Sequence, residues 1–143
     1  MTNVQPLSET LDAAEDIQIA LRNITRDFEY AIERQRIAKQ NAQTAANDYA
    51  DGEAEAVFDI KFGDDEDYKK AKNEGDRKAV IDVRLIKARQ AGGPLFVLWG
   101  LKTKTEQEVF DADLAFLQAE ARFKAVRTAA YLKANTLHAL AIA

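Results

Sequence analysis

The sequence predicts an all-α fold. Two long, heptad-patterned helices form an antiparallel, coiled-coil-like hairpin with short helices between them, and the chain assembles as an oligomer. Three observations carry this. First, from Leu7 to Tyr49 an apolar or small residue recurs at heptad spacing with no Gly or Pro. One track reads Leu7, Ala14, Leu21, Phe28, Gln35, Ala42, Tyr49; the other, offset by three, reads Thr10, Ile17, Ile24, Ala31, Ala38, Ala45. Tracks spaced three then four apart make a single seam on an α-helix, and such a seam needs a partner. Second, the pattern returns near the C-terminus, in Val109, Phe116, Phe123, Ala130, Leu137 and in Ala112, Ala119, Val126, Lys133, Leu140. Third, only six Gly and two Pro interrupt 143 residues, so the elements are few and long. The expected seam buries Ile17, Leu21, Ile24 and Phe28 against Val109, Phe116, Phe123 and Val126, within one chain or between copies.

In chain order, residues 1–6 read as a flexible arm and residues 7–62 as one long helix of a single domain. Ser8 or Thr10 can cap its start, and Glu9, Asp12, Glu15 and Asp16 suit the positive end of its dipole. The pairs Arg22/Arg26 and Glu29/Glu33 repel at i,i+4, so surface ion pairs do not hold this helix and the seam must. The seam thins from Ile17, Leu21, Ile24 and Phe28 to Ala38, Ala42 and Ala45, where a neighbouring helix comes closer. Gly52 is a candidate bend. Residues 63–105 read as short helices and loops. Gly63 sits where a C-cap glycine would. Asp64 or Asp65 caps a short helix over Glu66–Lys72, and 73–76 is a turn. A third helix over Asp76–Gln90 buries Ala79, Val83 and Ile86 with Val80 beside them. Gly92-Gly93-Pro94 is the strongest breaker. Residues 106–142 form the final helix, with Thr105 as N-cap before Glu106 and Glu108. Its register also extends back to Leu95 and Leu98, so a single helix from Pro94 stays open. A small sheet from 57–62, 80–86 and 95–101, whose residues alternate or favour strands, is the competing reading. No two-residue hairpin signal joins them, and their flanks favour helix.

Apolar residues make up 47% of the chain and the net charge is −4. The charge is uneven: residues 47–76 hold eleven acidic and four basic side chains, and residues 77–143 hold six acidic and eleven basic. Opposite charge along one chain favours self-pairing or a basic face for an anion. The absence of cysteine excludes disulfides, thiolate metal sites and thiol catalysis. The N-terminus lacks the basic and apolar regions of a signal peptide, and the longest apolar run, Pro94–Trp99, is far too short to span a bilayer. A soluble, cytoplasmic protein with no membrane partner is expected.

Residues able to do chemistry are scarce. The single histidine, His138, lies between Leu137 and Leu140 and reads as a surface or half-buried side chain. One His without Cys argues against zinc sites and nucleophilic triads, and no Glu-x-x-His pair exists for a di-iron bundle. Asp64-Asp65-Glu66-Asp67 lacks the alternation and glycine of a calcium loop. Asp59-x-Lys61 lacks the second carboxylate that metal-dependent nuclease chemistry needs. Gly92-Gly93 leads to Pro94, not to a phosphate-binding Lys-Ser/Thr step. No cofactor, no metal and no catalytic residue are expected, and the protein reads as a non-enzyme. The stretch that stands out is Val83–Thr105, which contains no acidic residue. Its Arg84, Lys87, Arg89, Lys102 and Lys104, with Phe96 and Trp99, could contact a partner or stack on single-stranded nucleic acid. The acidic total and the sparse cations favour the plainer reading, solvated charges with the aromatics in a core or oligomer contact.

A resemblance follows from Tyr49-Ala50 through Glu53-Ala54-Glu55-Ala56, from Lys72-Asn73-Glu74-Gly75-Asp76-Arg77-Lys78-Ala79, from Ala119-Glu120-Ala121-Arg122-Phe123, and from the Leu-rich end Leu132 to Leu140. In these the chain resembles small α-helical phage and prophage proteins encoded near recombination or replication genes. The resemblance implies a phage protein in the cytoplasm of a bacterial host, accessory to recombination or replication, and carries over no catalytic residues. The expected function is therefore a self-associating helical scaffold or adaptor, with a recombination or replication protein as partner. Single-stranded nucleic-acid binding and inhibition of a host enzyme through the acidic 47–76 segment are the alternatives.

Overall fold

A computed structural model describes the backbone of residues 4–142 and the side chains of Glu9 and residues 12–142. Residues 1–3 of the expected arm, and the side chains of Leu7, Ser8 and Thr10, lie outside the described residues. Four helices are described: α1 (Val4–Phe62), α2 (Glu66–Lys70), α3 (Glu74–Ala88) and α4 (Phe96–Ile142). No strand occurs among the described residues, so 57–62, 80–86 and 95–101 are helical apart from Leu95, which leads into α4. Val4–Pro6 belong to α1 rather than to an arm. Pro6 is tolerated there because a first-turn N–H has no partner within the helix anyway.

The chain divides into two compact units, one of residues 1–36 and 111–143, the other of residues 37–110. In the first, α1 packs on α4. Every described position of the two α1 tracks in this unit is buried or half-buried. Ile24 and Ala31 from α1 and Ala112 and Ala130 from α4 are the buried apolar residues. Phe28 is the wedge: its ring lies 5.0 Å from Phe123, stacked, and 5.6 Å from Phe116, tilted. Such aromatic pairs contribute about 0.5–1.5 kcal/mol each beyond their area. Seven residues on, the Gln35 amide donates to Asp113 at 2.6 Å. Going up α1 thus means going down α4, so the two helices run in opposite directions in this unit. Beyond Ala130 the α4 track loosens, and Lys133 and Leu140 are exposed.

In the second unit the seam continues through buried Ala38, Ala45 and Tyr49. Facing Ala45, Thr105 is 5% exposed, and both are small enough for close helix approach. The expected restart at Thr105 is absent because α4 is already helical from Phe96. The Thr105 hydroxyl donates back to the Leu101 carbonyl at 2.9 Å instead of capping a new helix. Consequently the boundary expected at 105/106 falls inside α4. The core of this unit is Tyr49, Leu85 and Leu95, with Ala56, Val57, Ile81, Ala88 and Leu98 against it. The face expected for α3 is corrected here. Ala79 is exposed, Val83 and Ile86 are 59% and 55% exposed, and Val80, Ile81, Leu85 and Ala88 turn inward. Nearly every other residue from Val80 to Ile86 is apolar, so periodicity alone left more than one stripe available.

The short elements follow their caps. Gly63 N–H bonds to the Asp59 carbonyl at 2.8 Å at the end of α1. The Asp65 carboxylate accepts the Tyr68 N–H at 3.0 Å and starts α2, and Asn73 Oδ1 accepts the Asp76 N–H at 2.8 Å and starts α3. Asn73 therefore begins α3 two residues before the expected start. After α3, Gly92 adopts φ 83°, the left-handed region that glycine tolerates. Leu95 N–H then reaches the Ala88 carbonyl at 2.9 Å, and Leu95 is 2% exposed. Gly52 does not break α1. A Cβ there would lie 2.7 Å from Leu98 Cδ1 and 3.2 Å from Leu95 Cδ2, so glycine makes room for the first turn of α4.

Three outcomes are expected from these contacts. Gly52→Ala gains about 1 kcal/mol of helix propensity while its methyl displaces only flexible leucine ends, so thermal melting stays near that of the parent. Gly52→Phe cannot be accommodated and lowers stability by about 1–3 kcal/mol in the same melt. Phe28→Ala removes both ring contacts and lowers stability by about 3 kcal/mol in urea titration followed by circular dichroism.

Candidate functional site

Three segments of the second unit bring a cation-aromatic cluster together. The seam of α1 supplies Tyr49, placed by its heptad position, and Glu53 one turn later. Arg89, the residue that ends α3, comes from the turn. The first turns of α4 supply Trp99 and Lys102, three residues apart on one helix face. The Tyr49 and Trp99 rings lie 5.2 Å apart and tilted by 57°. The Arg89 guanidinium sits 4.7 Å from the Trp99 ring, and the Lys102 ammonium 5.3 Å from it. Cations over aromatic faces gain about 0.5–2 kcal/mol depending on desolvation. Arg89 Nε also donates to the Tyr49 hydroxyl at 2.6 Å, and its Nη2 lies 3.7 Å from Glu53. Lys102 Nζ reaches Glu106 at 2.6 Å. Burial, then the neighbouring Glu53, raise the Tyr49 phenol above its ordinary pKa, although the Arg89 hydrogen bond pulls the other way. Tyr49 therefore stays a neutral phenol that accepts from Arg89.

Of the seven residues singled out for nucleic-acid or partner contact, Arg89, Trp99 and Lys102 are brought together. Arg84 is engaged elsewhere. Its Nε donates to Asp65 at 2.9 Å and its Nη2 to Asp67 at 2.5 Å, so it ties α3 to the start of α2. The Arg84 hydrogen bond, followed by the Tyr68 N–H, holds the Asp65 carboxyl below the usual carboxylate range. Lys104 lies 4.0 Å from Glu108 on the surface of α4, Phe96 is 48% exposed, and Lys87 is exposed. Beside the cluster's unit core, a groove of about 510 Å³ is lined by Ala56, Ile60, Leu85, Ala88 and Pro94, with Arg84, Lys87 and Asp59 also on its wall.

Tyr49 and Glu53 were not among the residues expected at the site. The available signal was a phenol at a seam position, since a buried Tyr hydroxyl needs a hydrogen-bond partner. Among the described residues no three His, Asp or Glu side chains are grouped to hold a metal ion, and no helix is long and apolar enough to cross a membrane. No family model, curated protein or solved structure matches the chain.

What this arrangement can do is fasten the turn after α3 to both long helices. Tyr49→Phe leaves Arg89 without its acceptor and lowers stability by about 1 kcal/mol. Arg89→Ala also removes the cation from Trp99 and lowers it by roughly 2 kcal/mol, both read from urea midpoints. The Asp65–Arg84 tie has a pH sign. A folded-state carboxyl pKa below the unfolded value adds stability that is complete above about pH 4 and is lost as pH falls through the folded value. The protection factor of the Tyr68 amide, its exchange measured against the intrinsic rate at the same pH, is therefore expected to fall on acidification below about pH 4 and to stay constant between neutrality and that point.

Proposed function

We propose that the protein is a non-enzymatic helical scaffold or adaptor that works by self-association. The observation that carries this is the surface it leaves uncovered. Much of the uncovered surface is large and apolar, including Tyr30, Phe58, Phe62, Phe110, Tyr131 and Leu132. In this reading the α1–α4 seam is the rigid part of a coiled-coil hairpin, and the uncovered apolar faces are where copies and partners meet. The resemblance to phage and prophage proteins gives the context: an accessory of recombination or replication in a bacterial host, acting by holding other molecules.

The pairing of the basic side chains weighs against single-stranded nucleic-acid binding. Arg84, Arg89, Lys102 and Lys104 each face a carboxylate of the same chain, and Trp99 is flanked by two cations. A strand would have to displace Asp65, Glu53, Glu106 and Glu108 to reach them. The same pairing occupies Asp65 and Asp67, which host-enzyme inhibition through the acidic segment would need to present.

Sedimentation equilibrium over a hundredfold concentration range tests the proposal. The expected mass exceeds that of one chain and falls on dilution, with no retardation of a single-stranded oligonucleotide at low salt. A monomer at every concentration that nevertheless shifts the oligonucleotide would reverse the order of the two readings.

A further inference from the structure

Helix α4 is apolar on two opposite sides. One side holds Phe116, Phe123, Val126 and their neighbours toward α1. Roughly half a turn round, the side away from α1 carries Leu114, Leu117, Ala121, Ala125, Thr128 and Leu132 at spacings of three and four. None of the six is charged, and all are exposed: Leu114 is 49%, Leu117 60% and Leu132 62%. A lone surface helix has one apolar face and one polar face. A helix with two apolar faces has two partners, and within the first unit α1 provides only one.

The charges beside this stripe specify what the second partner is. Residues 111–120 of α4 carry Asp111, Asp113 and Glu120 and no base, while residues 121–142 carry Arg122, Lys124, Arg127 and Lys133 and no acid. A helix acidic in one half and basic in the other is complementary to itself when the two copies run in opposite directions. The geometry points to a two-fold pairing of α4 with α4 of a second copy, antiparallel and centred on Ala121. This inference rests on the self-association proposed above and names its surface. In that register Ala121 meets Ala121 of the second copy, Leu117 meets Ala125, and Leu114 meets Thr128. Leu117 and Leu114 fall opposite small residues, and the small centre lets the helices approach closely. Glu120, which holds Lys124 of its own helix at 2.7 Å, lies on the same edge of the stripe as Lys124 and falls beside Lys124 of the other copy. A two-fold interface satisfies every such contact twice with one patch.

The test is the dissociation constant of the full chain by sedimentation, with circular dichroism to verify helicity. Leu117→Glu is expected to weaken association by about tenfold or more, and Asn23→Glu, at an exposed polar position of α1, to leave it unchanged. Ala121→Cys, in a chain with no other cysteine, is expected to cross-link two copies through a disulfide on oxidation, and Leu132→Cys is expected not to. A cross-link at 121 without one at 132 requires the antiparallel register. An oligomer whose dissociation constant ignores Leu117→Glu, or that Ala121→Cys does not cross-link, overturns this pairing while leaving self-association standing. A chain monomeric at all concentrations overturns both.

Discussion

A 59-residue helix with one narrow apolar stripe is not stable in water by propensity alone, and everything else in this chain depends on how that stripe is covered. The cover is α4. Alanine decides the terms of the contact: Ala31, Ala38 and Ala45 recur every seventh residue and each is almost fully buried. Small side chains bring little apolar area, but they permit close backbone approach. What area the alanines lack is made up locally by larger groups, the Phe28 wedge in one unit and the Tyr49, Leu85 and Leu95 core in the other. Among the described residues no large side chain is fully buried. A protein built this way holds its fold with modest burial and leaves many large apolar side chains exposed.

The polar cluster in the second unit is best understood as compensation. Where the seam reaches Tyr49, a phenol has to be buried and α3 has to end. Arg89 answers both demands: it gives the hydroxyl a donor and fills the space over Trp99. Four of the five cations singled out in the sequence, Arg84, Arg89, Lys102 and Lys104, thus face carboxylates or rings of the same chain. An acid-free stretch of sequence is not an acid-free surface, because Glu53, Asp65 and Asp67 arrive from elsewhere in the chain.

That distinction marks how far the sequence could be read. The long helices were legible because heptad spacing is a local property, and every described track position from Ala14 to Tyr49 is buried or half-buried. Caps were legible for the same reason, as with Asp65 and Gly63. The buried face of α3 was not, since Val80, Ile81, Val83, Leu85 and Ile86 offer several apolar stripes and the choice falls to Leu95 and Tyr49, distant in sequence. Gly52 read as a weakness of the helix, and only its proximity to Leu98 explains it. The start of α4 was obscured by Gly100 and the threonines at 103 and 105. Each is tolerated inside a helix that begins earlier, the threonines by bonding their hydroxyls back to the preceding turn.

The cluster around Trp99 has an optical consequence. It is the chain's single indole, and it sits beside two cations and a phenol in the unit of residues 37–110. Its emission therefore responds to the electrostatic field of that unit. Far-ultraviolet ellipticity, by contrast, averages over all the helices. The molecule thus comes with a built-in spectroscopic asymmetry, and any difference between the two signals during denaturation would measure how independently its two units come apart.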